Sequence, residues 1–473
     1  MNNKILSIIR NLSYTFISNF LSLFISTLVV LILPKIIGVE DYGYWQLYLF
    51  YISYVGFLHF GWSDGVYLRY GGKEYKDLNK SLLGSQFYML CIMQLLIAIV
   101  LIIISYSSTG DSNKSFILRM IAVCIVIVNT RSILLFVLQG TNRIKEFAKV
   151  TILEQVSYFI ILMLFLMVGM ENFGILIAAD LMGKLLSLVT AIYYCKDIVI
   201  LRFSHLKVNF KEAIKNISVG IRVMFAYIAS LLVVGVARFG IERTWDIVTF
   251  GKISLILSIS RMLMVFINAI GIVLFPILKR VNQQNLSIIY VNIRDLLMIL
   301  LLGILIIFYP LKEVLSTWLP SYKESFLYLS ILFPMIVFEG KMALLINTYL
   351  KTLRKETLML KINLLALLVS VILTSITTVI LKNLDLTVLS ILIVLCVRSI
   401  VSEIVIANIL KINVYKDLFL ELLLTTIFML TGWLMNSWKI VLIYSVAYIL
   451  YLFLKKEDIR NTIHSMKALK ERE

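Results

Sequence analysis

The chain has 473 residues, 60% of them hydrophobic, and carries 45 Lys and Arg against 27 Asp and Glu, for a formal charge of +18. A soluble globular chain is about half apolar; here apolar runs of about twenty residues recur from end to end, each long enough to cross about 30 Å of hydrocarbon. That leaves no room for a large soluble domain, and it turns the basic balance from a sign of nucleic-acid binding into the usual excess of Lys and Arg in cytoplasmic loops, so no nucleic-acid partner is expected.

The first apolar run, Leu12–Leu33, follows Lys4 and Arg10 and ends at Pro34. It is longer than the apolar core of a cleaved signal peptide and lacks a small-residue cleavage site, so it reads as a retained first helix. Further spans are expected at Tyr44–Leu68, Leu82–Ser105, Phe116–Gln139, Val150–Gly169, Phe173–Cys195, Ile217–Phe239 and Ile247–Ile277. The series continues with Ile289–Tyr309, Ser325–Leu350, Leu358–Leu381, Val388–Leu410 and two shorter runs, Leu418–Met435 and Ile440–Leu454. The expectation is an all-α polytopic membrane protein of about 14 transmembrane helices.

Loop charge orders these spans. Basic residues collect in alternate loops: Arg69–Lys80, Arg143–Lys149, Lys196–Lys215, Lys279–Arg280, Lys351–Lys361, Lys411–Lys416 and the tail from Lys455. The other set holds only Lys35, Lys114, Arg238, Arg243, Lys312, Lys323, Lys382 and Lys439. The positive-inside rule then places both termini in the cytoplasm and requires an even number of crossings. The longest inner loop, 196–216, separates a six-helix half (1–195) from a second (217–411), followed by a helix pair and basic tail (412–473). A faint repeat, "IIGVEDYGYWQLY" (Ile36–Tyr48) against "RFGIERTWDIVTFGKI" (Arg238–Ile253), supports the division. Repeated halves put a binding site at the midplane between them.

Charges at membrane depth carry the chemistry, because such residues face the bundle interior or a wet cavity. Arg261 lies near the middle of "SLILSISRMLMVFINAI" (Ser254–Ile270). At about 100° per residue, Ser254, Ser258, Arg261 and Asn268 share one narrow face, the pattern of a cavity-lining helix. The alternative is an arginine paired with an acid for packing. Arg131, Lys184, Lys341 and Arg398 lie near the middles of spans four, six, ten and twelve, and Arg222 about five residues into span seven. Asp180 and Lys184, four apart, are spaced for a local ion pair. Acids at depth are Asp180, Glu339 and Glu403, with Asp64 and Glu154 closer to the cytoplasmic side; His59 is near mid-depth. His59 could relay protons or be a hydrogen-bonded interior residue. The mid-depth balance is cationic, which suits an anion, and arginine forks suit phosphate.

Cys91, Cys124, Cys195 and Cys396 fall in or beside apolar runs without a CxxC pair, so neither a metal site nor a disulfide framework is expected. No phosphate-binding GxxxxGK[ST] loop, HExxH or GxSxG is present, and no cofactor is expected.

Six stretches resemble the bacterial polysaccharide-transporter, or O-antigen flippase, family of the multidrug/oligosaccharidyl-lipid/polysaccharide (MOP) exporter superfamily. They are "LPKIIGVEDYGYWQLY" (Leu33–Tyr48), "GWSDGVYLRYGGKEY" (Gly61–Tyr75), "LQGTNRIKEFAKVTI" (Leu138–Ile152), "FGILIAADLMGKLL" (Phe173–Leu186), "STWLPSYKESFLYLSILFP" (Ser316–Pro334) and "NTYLKTLRKETLMLKIN" (Asn347–Asn363). The resemblance implies two six-helix lobes, as in multidrug and toxin extrusion (MATE) transporters, with alternating access. It implies a bacterial cytoplasmic (inner) membrane protein, not an enzyme, that exports a polyprenyl (usually undecaprenyl) diphosphate-linked oligosaccharide for O-antigen, capsule or exopolysaccharide. Membrane lipids, H+ or Na+ and glycan polymerase machinery are the further partners to consider. The family has no short signature for binding residues, so the expected site rests on depth and charge. Arg261, Arg131, Arg222, Lys341 and Arg398 would draw the anion, Ser254, Ser258 and Asn268 would line its cavity, and His59, Asp180, Glu339 or Glu403 would couple an ion. The competing readings are a glycan polymerase or ligase, disfavoured by short outer loops, and another MOP exporter for drugs or for a lipid-linked peptidoglycan precursor.

Overall fold

The computed structural model describes residues 3–107, 110–201, 209–262, 264, 267, 278, 285–435, 439–458 and 460. Asn268, Lys279, Arg280 and the tail cations beyond residue 460 lie outside them. Among the described residues the chain is helical and carries no strand. This is what a bilayer demands, since a helix satisfies its own backbone hydrogen bonds without water.

The helices are α1 (Asn3–Ile36), α2 (Val39–Val55), α3 (Trp62–Tyr70), α4 (Lys80–Ser107), α5 (Ser112–Gly140), α6 (Ile144–Met167), α7 (Phe173–Tyr194), α8 (Phe210–Thr244) and α9 (Ile247–Met262). They continue with α10 (Leu286–Trp318), α11 (Leu329–Thr352), α12 (Glu356–Ile380), α13 (Leu384–Leu410), α14 (Tyr415–Leu434) and α15 (Lys439–Leu454). Ten of the described helices, α4 to α8 and α10 to α14, are long and apolar enough to cross a membrane, and Phe20–Ile36 and Val441–Leu454 are shorter apolar helices. The protein is therefore an all-α polytopic membrane protein. Side chains cap several starts: Asp111 accepts from the Asn113 and Lys114 amides, Asn172 from Ile175 and Asn383 from Leu386. Each cap satisfies donors that the first helical turn leaves open.

Helical segments lie at every expected span; the difference is in continuity. The eighth span is helical as α9 up to Met262, beyond which only isolated residues are described. The second, Tyr44–Leu68, is broken. A single 3-10 turn, Gly56–His59, follows α2, and Phe60 (φ 53°) and Gly61 (φ 77°) then adopt left-handed conformations before α3 begins. The freed backbone is satisfied by polar side chains: Gln94 Nε2 donates to the Leu58 carbonyl at 3.0 Å and Asn129 Nδ2 to that of Val55 at 3.1 Å. Glycine is required here. A Cβ on Gly61 would stand 2.5 Å from the Ile221 amide nitrogen, and one on Gly220 would stand 2.0 Å from the Gly61 carbonyl oxygen.

The chain divides into two compact units, Met1–Ile228 and Ala229–Glu473, with the boundary inside α8. In the first unit α5 is the central helix, packed against α2, α3, α4, α6 and α7. In the second unit α11 takes that place, against α9, α10, α13 and α14, and it is almost wholly buried. It is not a uniform helix: Lys341–Ile346 winds as a π-helix, as does Ile376–Ile380 in α12. Such segments are rare and concentrate at functional sites.

Candidate functional site

Within the second unit, α9, α11 and α13 bring Arg261, Glu339 and Arg398 into one neighbourhood. Arg261 Nη2 stands 3.5 Å from Glu339 Oε1, with the two side chains 37% and 19% exposed. That separation exceeds the roughly 2.7–2.9 Å of a charge-assisted hydrogen bond, so the pair is loose. Arg398 is 6% exposed, and its guanidinium donates through Nη2 to the Ser230 hydroxyl on α8 at 3.0 Å. Among the described residues no carboxylate comes within ion-pair distance of Arg398; Glu339 is the acid whose field reaches it. The Nε–H groups of both arginines are buried with no acceptor. Burying a charge without a full set of partners is expensive. Two guanidiniums against one carboxylate therefore make a site with spare positive charge and spare donors.

The other expected lining residues are placed differently. Ser254 accepts from Arg238 Nη2 at 3.1 Å, and the Ser258 hydroxyl donates to the Ser254 carbonyl at 2.9 Å, so local partners occupy both. Arg222 is exposed on α8 in the first unit.

Lys341 begins the π-helical turn of α11 and belongs to a second charge cluster. Its ammonium, fully buried, donates to Glu403 and to Glu421 Oε2, the latter at 2.5 Å. Arg294 binds the same two acids through Glu403 Oε1 and Glu421 Oε1 and also meets Asp417 at 3.1 Å and Asp295 at 3.5 Å. Lys455 closes the set against Asp295 at 2.9 Å and Asp417 at 2.5 Å. The network ties α10, α11, α13, α14 and the end of α15. Lys341 and Glu403, expected as anion-binding and ion-coupling residues, here neutralise each other. Sequence reasoning missed Arg294, Asp295, Asp417, Glu421 and Lys455 as parts of it. The signals were an Arg-Asp pair a few residues into an apolar run and two acids four apart at the start of α14.

The first unit holds its own paired charges. Arg131 Nη1 binds Glu154 and also donates to the Ser187 hydroxyl at 2.9 Å. Lys184 binds Asp180, the pair that the four-residue spacing implies, and lies 3.9 Å from Glu154. Asp180 also accepts from the Tyr48 hydroxyl at 2.6 Å. His59 sits beside the break in the second span. Its Nδ1 accepts the Gly61 amide at 3.0 Å, and its Nε2 lies 3.7 Å from Asp64 Oδ2.

Comparison with known proteins adds to this geometry. The family described as "Polysaccharide biosynthesis protein" matches residues 8–282. Among solved structures, lipid II flippase MurJ in an inward closed conformation is similar over 95% of this chain and 100% of its own, at 13% identity and a TM-score of 0.64. An inward-facing multidrug resistance MATE family transporter of the MOP superfamily covers 83% of this chain and 99% of its own, at 13% identity and a TM-score of 0.60. A MOP superfamily transporter from Pyrococcus furiosus, described as having a binding pocket of reverse polarity, covers 85% and 96%, at 13% identity and a TM-score of 0.52. At these identities the likeness is one of fold. No curated protein sequence matches the chain.

Proposed function

Because the chain belongs to the polysaccharide biosynthesis protein family and has the fold of MOP superfamily transporters, we propose that it is a flippase for a polyprenyl diphosphate-linked oligosaccharide. The glycan would serve O-antigen, capsule or exopolysaccharide assembly in a bacterial cytoplasmic membrane. The supporting observations are Arg398, a buried guanidinium that donates to one serine hydroxyl and has no carboxylate within ion-pair distance among the described residues, and Arg261, loosely paired with Glu339, the acid whose field also reaches Arg398. A diphosphate supplies the acceptor oxygens both side chains lack, and arginine presents its donors in the fork that phosphate oxygens accept. The sugar hydroxyls need a hydrated path, since burying each without a partner is costly, while the polyprenyl tail remains in lipid. Alternating access moves the headgroup from the cytoplasmic to the opposite leaflet. The paired states of Asp180 and Glu403 leave His59 and Glu339 as the residues through which H+ or Na+ coupling would run.

Complementation tests this reading. Expression in strains blocked in export of lipid-linked polysaccharide units is expected to restore surface glycan. Arg398→Gln, present in the membrane at wild-type level, is expected to fail. Wild-type export by that variant, or rescue only of a strain blocked in peptidoglycan-precursor export, would overturn it.

A further inference from the structure

Apart from Arg398, which has only the Ser230 hydroxyl, the buried cations named in the ion pairs above are held by short contacts. Arg131 binds Glu154, Lys184 binds Asp180, and Arg294 and Lys341 share Glu403 and Glu421. Arg261 and Glu339 differ: they stand 3.5 Å apart with no hydrogen bond between them, and the Arg261 Nε–H, like that of Arg398, has no acceptor. The contact joins α9 to α11 just before the π-helical turn that begins at Lys341. A carboxylate so placed presents to Arg261 the chemistry a phosphate oxygen would present, at a distance that gives little stability.

We propose that Glu339 is a release residue: it occupies Arg261 while the site is empty, yields it to the substrate's diphosphate and retakes it when the cargo departs. The inference rests on the anion-site reading above. Its physical basis is that a carrier must bind well enough to load and weakly enough to unload. A dianion seated on Arg261 and Arg398 faces Glu339 as a like charge, which costs binding energy. The same repulsion drives the headgroup off. Removing the charge therefore tightens binding and slows turnover, whereas loss of a merely structural contact weakens both.

The test uses the detergent-purified full chain and a short-chain prenyl diphosphoglucose. Affinity is read by titration calorimetry, and turnover by flipping of a fluorescent form in proteoliposomes. Glu339→Gln is expected to lower Kd by about tenfold or more and to lower the flipping rate at saturating substrate. Glu339→Asp, which keeps the charge but draws it back from Arg261, is expected to bind more weakly than Glu339→Gln. A Kd for Glu339→Gln equal to or above that of wild type overturns the inference. So does a Glu339→Asp chain that binds as tightly as Glu339→Gln, and where Glu339→Gln fails to fold, a Glu339→Asp chain with wild-type Kd and rate does the same. Arg398→Gln separates the two levels. If it abolishes binding while Glu339→Gln changes nothing, only the release role falls; if wild type does not bind the probe, or Arg398→Gln binds as well as wild type, the anion site and the release role fall together.

Discussion

Lys341 and Arg261 show how differently two membrane arginine or lysine residues can be held. Lys341 is fully buried and fixed by two glutamates that Arg294 shares. Removing one partner of such a set leaves an uncompensated buried charge, at a cost of about 3–5 kcal/mol. Lys341→Ala is expected to lower the thermal unfolding midpoint in detergent sharply, and the double variant Lys341→Met with Glu421→Gln to recover much of the loss. Equal instability of the single and double variants would show that packing, rather than charge balance, dominates there. Arg261 stands at the opposite limit. Its contact with Glu339 is long and partly exposed, a class of pair worth about 0–1 kcal/mol. Arg261→Gln is therefore expected to leave the unfolding midpoint nearly unchanged while glycan export falls. A large loss of stability in that variant would place Arg261 among the structural pairs.

Two elements carry constraints that single residues do not. The break between α2 and α3 is fixed by close backbone packing on the first half of α8, so Gly61→Ala meets both a left-handed φ and a 2.5 Å clash. It is expected to cost at least about 2 kcal/mol, read as loss of folded protein by size-exclusion chromatography. Phe60→Gly, which relieves the φ of 53°, is expected to be tolerated. The short loop element after α7 is held by charge instead. Burial opposes ionisation of Asp197, but hydrogen bonds from Lys80 and Tyr75 outweigh it and hold the carboxyl below its usual range. A depressed folded-state value means that this contribution is present above the ordinary carboxylate pKa and is lost as the pH falls through the lowered one. The difference in unfolding midpoint between wild type and Asp197→Asn is expected to shrink on acidification from pH 7; a constant difference would remove the carboxylate from the account. The spans were legible in the sequence because hydrophobic length is a local signal. The partner of each charge was not, since Lys341 meets Glu403 across 62 residues of chain and Arg131 meets Glu154 across 23. The Asp180–Lys184 pair was legible because its spacing is one helical turn. The helix break was hidden for another reason: Gly56 and Gly61 sit in an otherwise continuous apolar run, and glycine alone does not end a membrane helix, whereas glycine pressed against a second backbone does.

At the scale of the whole molecule, function depends on which loops face which side, and the broken second span decides how the later loops are placed. The 17 residues of α2 extend about 25 Å at 1.5 Å per residue, slightly less than the roughly 30 Å of hydrocarbon. With the turn and α3 they are expected to form one crossing rather than two. The charge pattern agrees, placing Glu40 in a sparse outer loop and Lys73 in the basic segment Arg69–Lys80. Both residues are exposed, so each can report its side through a cysteine substitution. In a background with Cys91, Cys124, Cys195 and Cys396 replaced, a membrane-impermeant thiol reagent added to intact cells, with the outer membrane permeabilised where one is present, is expected to label Glu40→Cys and to leave Lys73→Cys unlabelled until lysis. If the segment instead dipped into the bilayer and returned, both cysteines would label from the same side. Every later loop would then invert, both termini could no longer share the cytoplasm with an even number of crossings, and the direction proposed for the cargo would lose its frame.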